Sequence, residues 1–271
     1  MIIDTHAHYD DPVFDKDRDV LLRSLFSGGT ESVINAGASM ESSRKGLELS
    51  RRYPFVYCAL GVHPNETISL TGEDMNWITG NAADKKVVAI GEIGLDYHFE
   101  DPVRSIQKAW FARQIAVARK AKLPVIVHSR DAAQDTLDVI KAENAKEAGG
   151  VIHCFSYGKE LAEEYLKMGF YIGIGGVVTF KNAKRMKEVV SFAPLTSLLL
   201  ETDCPYLSPE PNRGMRNSSL NLPYVVKAIA EIKNISEQEV TEVTHDNALR
   251  CFPKLNQGGI SCPHSETRRT Q

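Results

Sequence analysis

Ile2-Ile3-Asp4-Thr5-His6-Ala7-His8 opens the chain. If residues 2–6 form a β-strand, alternation sends Asp4, His6 and, where the pleat persists, His8 to one face. Two imidazoles two residues apart at a strand end can grip one metal ion. An isolated His-x-His is more often a polar cap on an ordinary strand, so the reading depends on whether other strands deliver ligands at equivalent places.

The rest of the chain repeats one unit. Apolar runs at residues 32–36, 56–62, 87–90, 124–127, 151–155, 170–175 and 198–202 follow the first strand. Helical patterns at 15–26, 39–52, about 70–81, 104–122, 131–147, 160–168 and 182–192 alternate with them. Gly28 and Gly29 close the first helix, and Pro54 follows the end of the second. Eight strand-helix units with right-handed crossovers favour an α/β fold closed as a single-domain (β/α)8 TIM barrel, spanning residues 1–252. Gly173, Gly175 and Gly176 superficially imitate a dinucleotide-binding fingerprint, but Val178 occupies the place of its third glycine. Residues 253–271 read as a disordered C-terminal tail, since 256–271 hold almost no apolar side chains.

The 271 residues, 42% hydrophobic and 25% charged, suit one sizeable soluble domain. No apolar run reaches the roughly 18 residues of a membrane helix, and no basic-apolar leader precedes the first strand, so a cytoplasmic location is expected. Five cysteines without a Cys-x-x-Cys pair argue against a disulfide framework and against a structural zinc knuckle. A net charge of −3 leaves any nucleic-acid contact to a few local Lys and Arg side chains.

In such a barrel the chemistry lies at the C-terminal ends of the strands. That rim receives His6 and His8 from strand 1, Glu92 from strand 4, His128 from strand 5, His153 from strand 6 and Asp203 from strand 8. One catalytic ion usually takes about three protein ligands. Four imidazoles and two carboxylates therefore suggest two divalent cations, with His6, His8 and Asp203 on one, His128 and His153 on the other, and Glu92 bridging. Ions about 3.5–4 Å apart would activate a water and stabilise both attacking and leaving oxygens of a phosphate ester. Asp203 could accept that water's proton, so Glu92 and Asp203 are the expected catalytic residues. Mixed nitrogen and oxygen ligands suit Zn²⁺ or Mn²⁺, and Mg²⁺ less well.

These motifs carry a resemblance. Ile3-Asp4-Thr5-His6-Ala7-His8-Tyr9-Asp10, Gly91-Glu92-Ile93-Gly94-Leu95-Asp96-Tyr97, His128-Ser129-Arg130-Asp131-Ala132, His153-Cys154-Phe155-Ser156 and Leu200-Glu201-Thr202-Asp203-Cys204-Pro205-Tyr206-Leu207 together resemble the TatD family of metal-dependent deoxyribonucleases. The resemblance covers about residues 1–252. It implies a barrel of the amidohydrolase-like superfamily and metal-dependent DNA hydrolysis, often 3′ to 5′, with DNA single strands or 3′ ends as partner. The family's ligands fall on the six positions already derived. Tyr9 replaces a commoner aliphatic residue, Gln134 stands where the family often has an acid, and Ser218-Ser219 replace an acid and a proline in a loop expected to meet substrate.

Around the rim, Asp4 and Glu201 precede His6 and Asp203 by two residues and could orient ligating imidazoles or form buried ion pairs. Cys154 and Cys204 should point outward, because neighbours of rim residues face the other way. His63, which resembles the family's histidine in Gly-Val-His-Pro, is a candidate phosphate contact, as are Arg130, Arg213 and Arg216. An alternative keeps the metals but changes the bond, to an amide or aminoacyl ester such as D-aminoacyl-tRNA. A barrel that retains metals only for stability and binds a partner is a third reading. It is disfavoured because ligands on an open rim are poorly placed to staple a large core.

Overall fold

The computed structural model describes residues 1–257. Eight parallel strands lie side by side in chain order: β1 (Ile2–Ala7), β2 (Thr30–Ala36), β3 (Val56–Leu60), β4 (Val87–Asp96), β5 (Val125–Arg130), β6 (Gly150–Ile152), β7 (Tyr171–Ile174) and β8 (Leu198–Leu200). The sheet curls until its edges meet. Ala7 bridges Cys204 in parallel, and the Thr5 hydroxyl donates to the Leu200 carbonyl at 2.9 Å. The result is the nearly closed (β/α)8 barrel that the repeat predicted.

Helices α1 (Arg18–Leu25), α2 (Met40–Arg52), α3 (Gly72–Asn81), α4 (Arg104–Ala121), α5 (Ala133–Ala142), α6 (Lys159–Lys167) and α7 (Lys184–Phe192) fill the crossovers. Two more, α8 (Leu222–Lys233) and α9 (Glu237–Cys251), follow the last strand in a stretch where the sequence reading placed no element. Their signals are local. Ser236 caps α9 by accepting from the Glu239 amide, and Asn234 ends α8 in the left-handed conformation. None of the described helices is long and apolar enough to cross a membrane.

Every residue of β4 is buried, as expected of a parallel strand covered on both faces. Two layers of core result. Ile3, Ile34, Val88, Ile126, Val151 and Leu199 fill the barrel, while Phe111, Ile115, Tyr165, Val189 and Ile229 pack helices against its outside. The bottom is stoppered by α9 and the turn after it, through Ala248, Phe252 and Leu255. Pro253–Gln257 is thus a 3-10 turn packed under the barrel, not the start of a tail, with the Lys254 ammonium donating to the Val87 carbonyl at 2.9 Å. Residues 258–271 of the expected tail lie outside the described residues.

Two strand boundaries differ from expectation in ways that matter at the rim. β4 continues to Asp96 instead of stopping at Ile90, because Ile93 to Asp96 pair with Val127 to Arg130. Gly94 permits this close approach: a Cβ there would overlap the His128 carbonyl oxygen. β6 instead ends at Ile152, so His153 begins a loop. Phe252 is fully buried in the floor. Phe252→Ala should therefore lower unfolding stability by about 3–5 kcal/mol in urea titration, without changing the secondary-structure content seen by circular dichroism.

Candidate metal centre

All six expected ligand side chains converge at the C-terminal mouth of the barrel. His6 and His8 face each other with their Nε2 atoms 3.0 Å apart. Asp203 Oδ1 lies 3.7 Å from His6 Nε2 and 3.4 Å from His8 Nε2. Glu92 divides its carboxylate: Oε2 is 3.3 Å from His6 Nε2, while Oε1 is 2.7 Å from His128 Nδ1. His153 stacks on His6 at 3.5 Å between ring centroids, with its Nε2 3.7 Å from both Glu92 Oε1 and Asp203 Oδ1.

His6, His8 and Asp203 come together as anticipated. Glu92 Oε1 faces both His128 Nδ1, at 2.7 Å, and His153 Nε2, at 3.7 Å, and His63 stands beside Glu92 and His128 as a residue the expected set did not include. His153 also reaches toward Asp203, at 3.7 Å. His63 accepts from the Asn65 amide at Nδ1, which leaves its Nε2–H aimed toward Glu92 Oε1 at 3.9 Å. Burial and the neighbouring His128 push His63 down to about 4, so it is a neutral donor at ordinary pH.

Outer contacts fix these rings. His8 Nδ1–H donates to the Ala36 carbonyl at 3.0 Å, turning Nε2 to the centre. Glu201, fully buried, holds Oε2 3.2 Å from His153 Nδ1 while Oε1 accepts from the Cys154 amide. Gly173 makes room for it, since a Cβ at that position would collide with the Glu201 carboxylate. Asp96, to which sequence position alone assigns no role, approaches His128 Nε2 at 3.4 Å. Its carboxyl is buried, yet the His128 imidazole and the His98 amide hold it down at about 2.

Asp4 does something else. The β1–β2 register shifts between Asp4 and Ala7, so simple alternation does not carry through to His6. Asp4 touches no imidazole. It accepts from the Thr202 amide and hydroxyl at 3.0 and 2.7 Å and from the Ser219 hydroxyl at 2.6 Å. This fixes the segment that delivers Asp203. Ser219 is buried and pairs with the Tyr9 hydroxyl at 2.8 Å, and neither residue is part of the cavity lining.

Three further expectations need correction. Cys154 does not point outward: with φ at +44° the chain leaves strand geometry, and its Sγ joins the His153 and Asp203 ligand atoms. Cys204 does pack outward, with Ala7 and Tyr9. Arg130 lines the cavity mouth, but Arg213, the third expected substrate contact, is not part of that lining and stacks its guanidinium on Phe180 at 4.3 Å. Arg216 likewise forks onto Asp17.

The residues fit a cation. His6, His8 and His153 turn their Nε2 atoms, and His128 its Nδ1, toward the Glu92 and Asp203 carboxylates at 2.7–3.7 Å. Burial alone would lower His153, yet Glu201, Asp203 and Glu92 raise it to about 10; burial is likewise overcome at His8, which Asp203 and Glu92 raise to about 9. Where no cation binds, protons on the imidazoles balance the carboxylates. A nitrogen-and-oxygen set of this kind suits a borderline divalent ion.

Residues 3–253 match the family described as TatD related DNase. The chain belongs to that family. It is 43% identical over 252 residues to YabD of Bacillus subtilis (strain 168), named as an uncharacterized metal-dependent hydrolase, covering 93% of this chain and 99% of YabD. A Mycobacterium tuberculosis metal-dependent hydrolase named TatD is 33% identical, covering 93% of this chain and 97% of its own. The crystal structure of YjjV, a TatD homologue from Escherichia coli K12, superposes with a TM-score of 0.88 at 30% identity, covering 93% and 98% of the two chains. This TatD-family chain is accordingly a metal-dependent hydrolase.

Loading Zn²⁺ or Mn²⁺ at pH 7 should release protons, because burial is outweighed by the neighbouring carboxylates, which raise His8 to about 9, His153 to about 10 and His128 above its usual value, and each must give up its proton to bind a cation. Apparent affinity should climb as pH rises toward 10. Isothermal titration calorimetry in buffers of different ionisation enthalpy measures both. Glu201→Gln should weaken metal binding by about 10–100-fold in the same titration.

Proposed function

We propose that this protein is a divalent-metal-dependent deoxyribonuclease, hydrolysing phosphodiester bonds at a site that holds two cations. The observation that carries the reading is the shared Glu92 carboxylate, with one oxygen toward His6 and the other on His128. His6, His8 and Asp203 would hold one cation and His128 the other, with His153 placed to join either and Glu92 between them. The family description as a DNase supports the choice of bond. Bound cations supply Lewis-acid stabilisation of the phosphoryl oxygens and make a nucleophilic water available near neutral pH.

The chain's own groups do the rest. Asp203, with its side chain 18% exposed to the cavity, is placed to take the proton of the attacking water. The neutral His63 offers Nε2–H to a phosphoryl oxygen, and the Arg130 guanidinium at the mouth can pair with a phosphate. Glu201 and Asp96 keep the His153 and His128 rings from rotating. Single strands or 3′ ends are the DNA form this reading favours, acting in the cytoplasm.

One observation favours a second reading, hydrolysis of an amide or an aminoacyl ester such as D-aminoacyl-tRNA. The cavity wall beyond the cluster carries Asp10, Asp11, Glu41 and Glu66 against only Lys45 and Arg130 as lysine or arginine. An acidic wall suits a substrate with an amino group better than a long polyanion.

Incubated with Mn²⁺ or Mg²⁺ and 5′-labelled single-stranded DNA, the protein should release mononucleotides from the 3′ end. Asp203→Asn should reduce kcat about 10²–10⁴-fold, and Glu92→Gln should abolish release. Undiminished release by Glu92→Gln, or turnover of aminoacyl esters alone, would overturn the nuclease reading.

A further inference from the structure

Two large aromatic rings stand exposed at the cavity mouth. Phe99 is 53% and Tyr206 54% accessible, and both line the cavity of about 700 Å³ that contains Glu92, His128 and Asp203. Phe99 follows β4, and Tyr206 follows β8. With strands in order and β8 meeting β1, the β4–β5 junction lies across the mouth from the β8–β1 junction. The rings thus occupy opposite rims, with the imidazole-carboxylate cluster between them.

Both have fixed neighbours. The Tyr206 hydroxyl donates to the Asp11 carboxylate at 3.1 Å, and its ring centroid lies 6.4 Å from that of His8. The His98 ring packs against Phe99 at 4.9 Å, and the Arg130 guanidinium lies over the Phe99 ring, 5.9 Å from its centroid. With about half of each ring exposed, ring surface remains open to the cavity, where a flat partner would cover it.

Charge points the same way. Lys45 is paired with Glu41 at 2.7 Å, which leaves the wall short of cations for a phosphate chain. A strand bound here draws its affinity from stacking more than from phosphate pairing, because each stacked base contributes independently of a basic groove. We infer that Phe99 and Tyr206 are base-stacking platforms, one for the nucleobase on each side of the scissile ester, so that the site grips a dinucleotide step at a strand end. This rests on the nuclease reading above and names the part of the substrate that the protein recognises.

The test compares a deoxyadenosine dinucleotide with analogues in which either base is replaced by an abasic residue, using metal-loaded wild type, Phe99→Ala and Tyr206→Ala. In wild type each base should lower KM about tenfold. Each alanine variant should erase the advantage of one base, and Phe99→Trp or Tyr206→Trp should preserve it. Both positions are exposed, and melting curves check that the variants fold. Equal KM values for abasic and base-bearing substrates in wild type, or a full base advantage in both alanine variants, would overturn the inference. Calorimetric binding of deoxyadenosine 5′-monophosphate against deoxyribose 5-phosphate separates it from the cleavage reading. If no DNA is cut, yet the nucleotide binds about tenfold tighter and one alanine variant loses that difference, stacking stands and cleavage falls.

Discussion

Glu92, Asp203 and Glu201 bring three carboxylates around one buried imidazole, His153, and burial of such charge costs on the order of several kcal/mol per ion unless positive charge compensates it. This constraint organises the mouth of the barrel. It draws His6 and His8 to within 3.0 Å of each other and raises His8 and His153 well above the usual histidine range. A fold satisfied by hydrophobic packing alone has no reason to assemble such a cluster at its open end. The same charge that burdens the protein favours a divalent cation, which is why the donor set and the family's metal dependence agree.

Support for the cluster comes from outside it. Gly173 leaves the space that Glu201 fills, Gly94 lets β4 run against His128, and Asp4 ties Thr202 and Ser219 so that Asp203 turns into the cavity. The contact of Tyr9 with Ser219 lies within this support.

Much of this was legible in the sequence because both signals are periodic. Eight apolar runs separated by helical patterns imply the barrel, and polar residues closing those runs imply a common rim. His6, His8, Glu92, His128, His153 and Asp203 were found by position alone. The failures share a cause. Asp4 and Cys154 were placed by strict alternation, which a register shift in β1 and a left-handed residue after β6 both interrupt. Arg213 and Arg216 were placed by their loop, but each guanidinium found a nearer partner in Phe180 or Asp17. The α8 and α9 helices went unassigned because the strand-helix repeat ends before them.

The sequence by itself determined the fold class, the family and the six side chains that converge at the barrel mouth, since these follow from the order and spacing of residue types along the chain. Only the tertiary structure decided that His63 joins His128, that Asp96 and Glu201 lie against the rings, and that residues 253–257 close the barrel floor. Those are relations between side chains 30 to 200 positions apart. They depend on strand register and rotamer, quantities that one chain's local pattern does not encode.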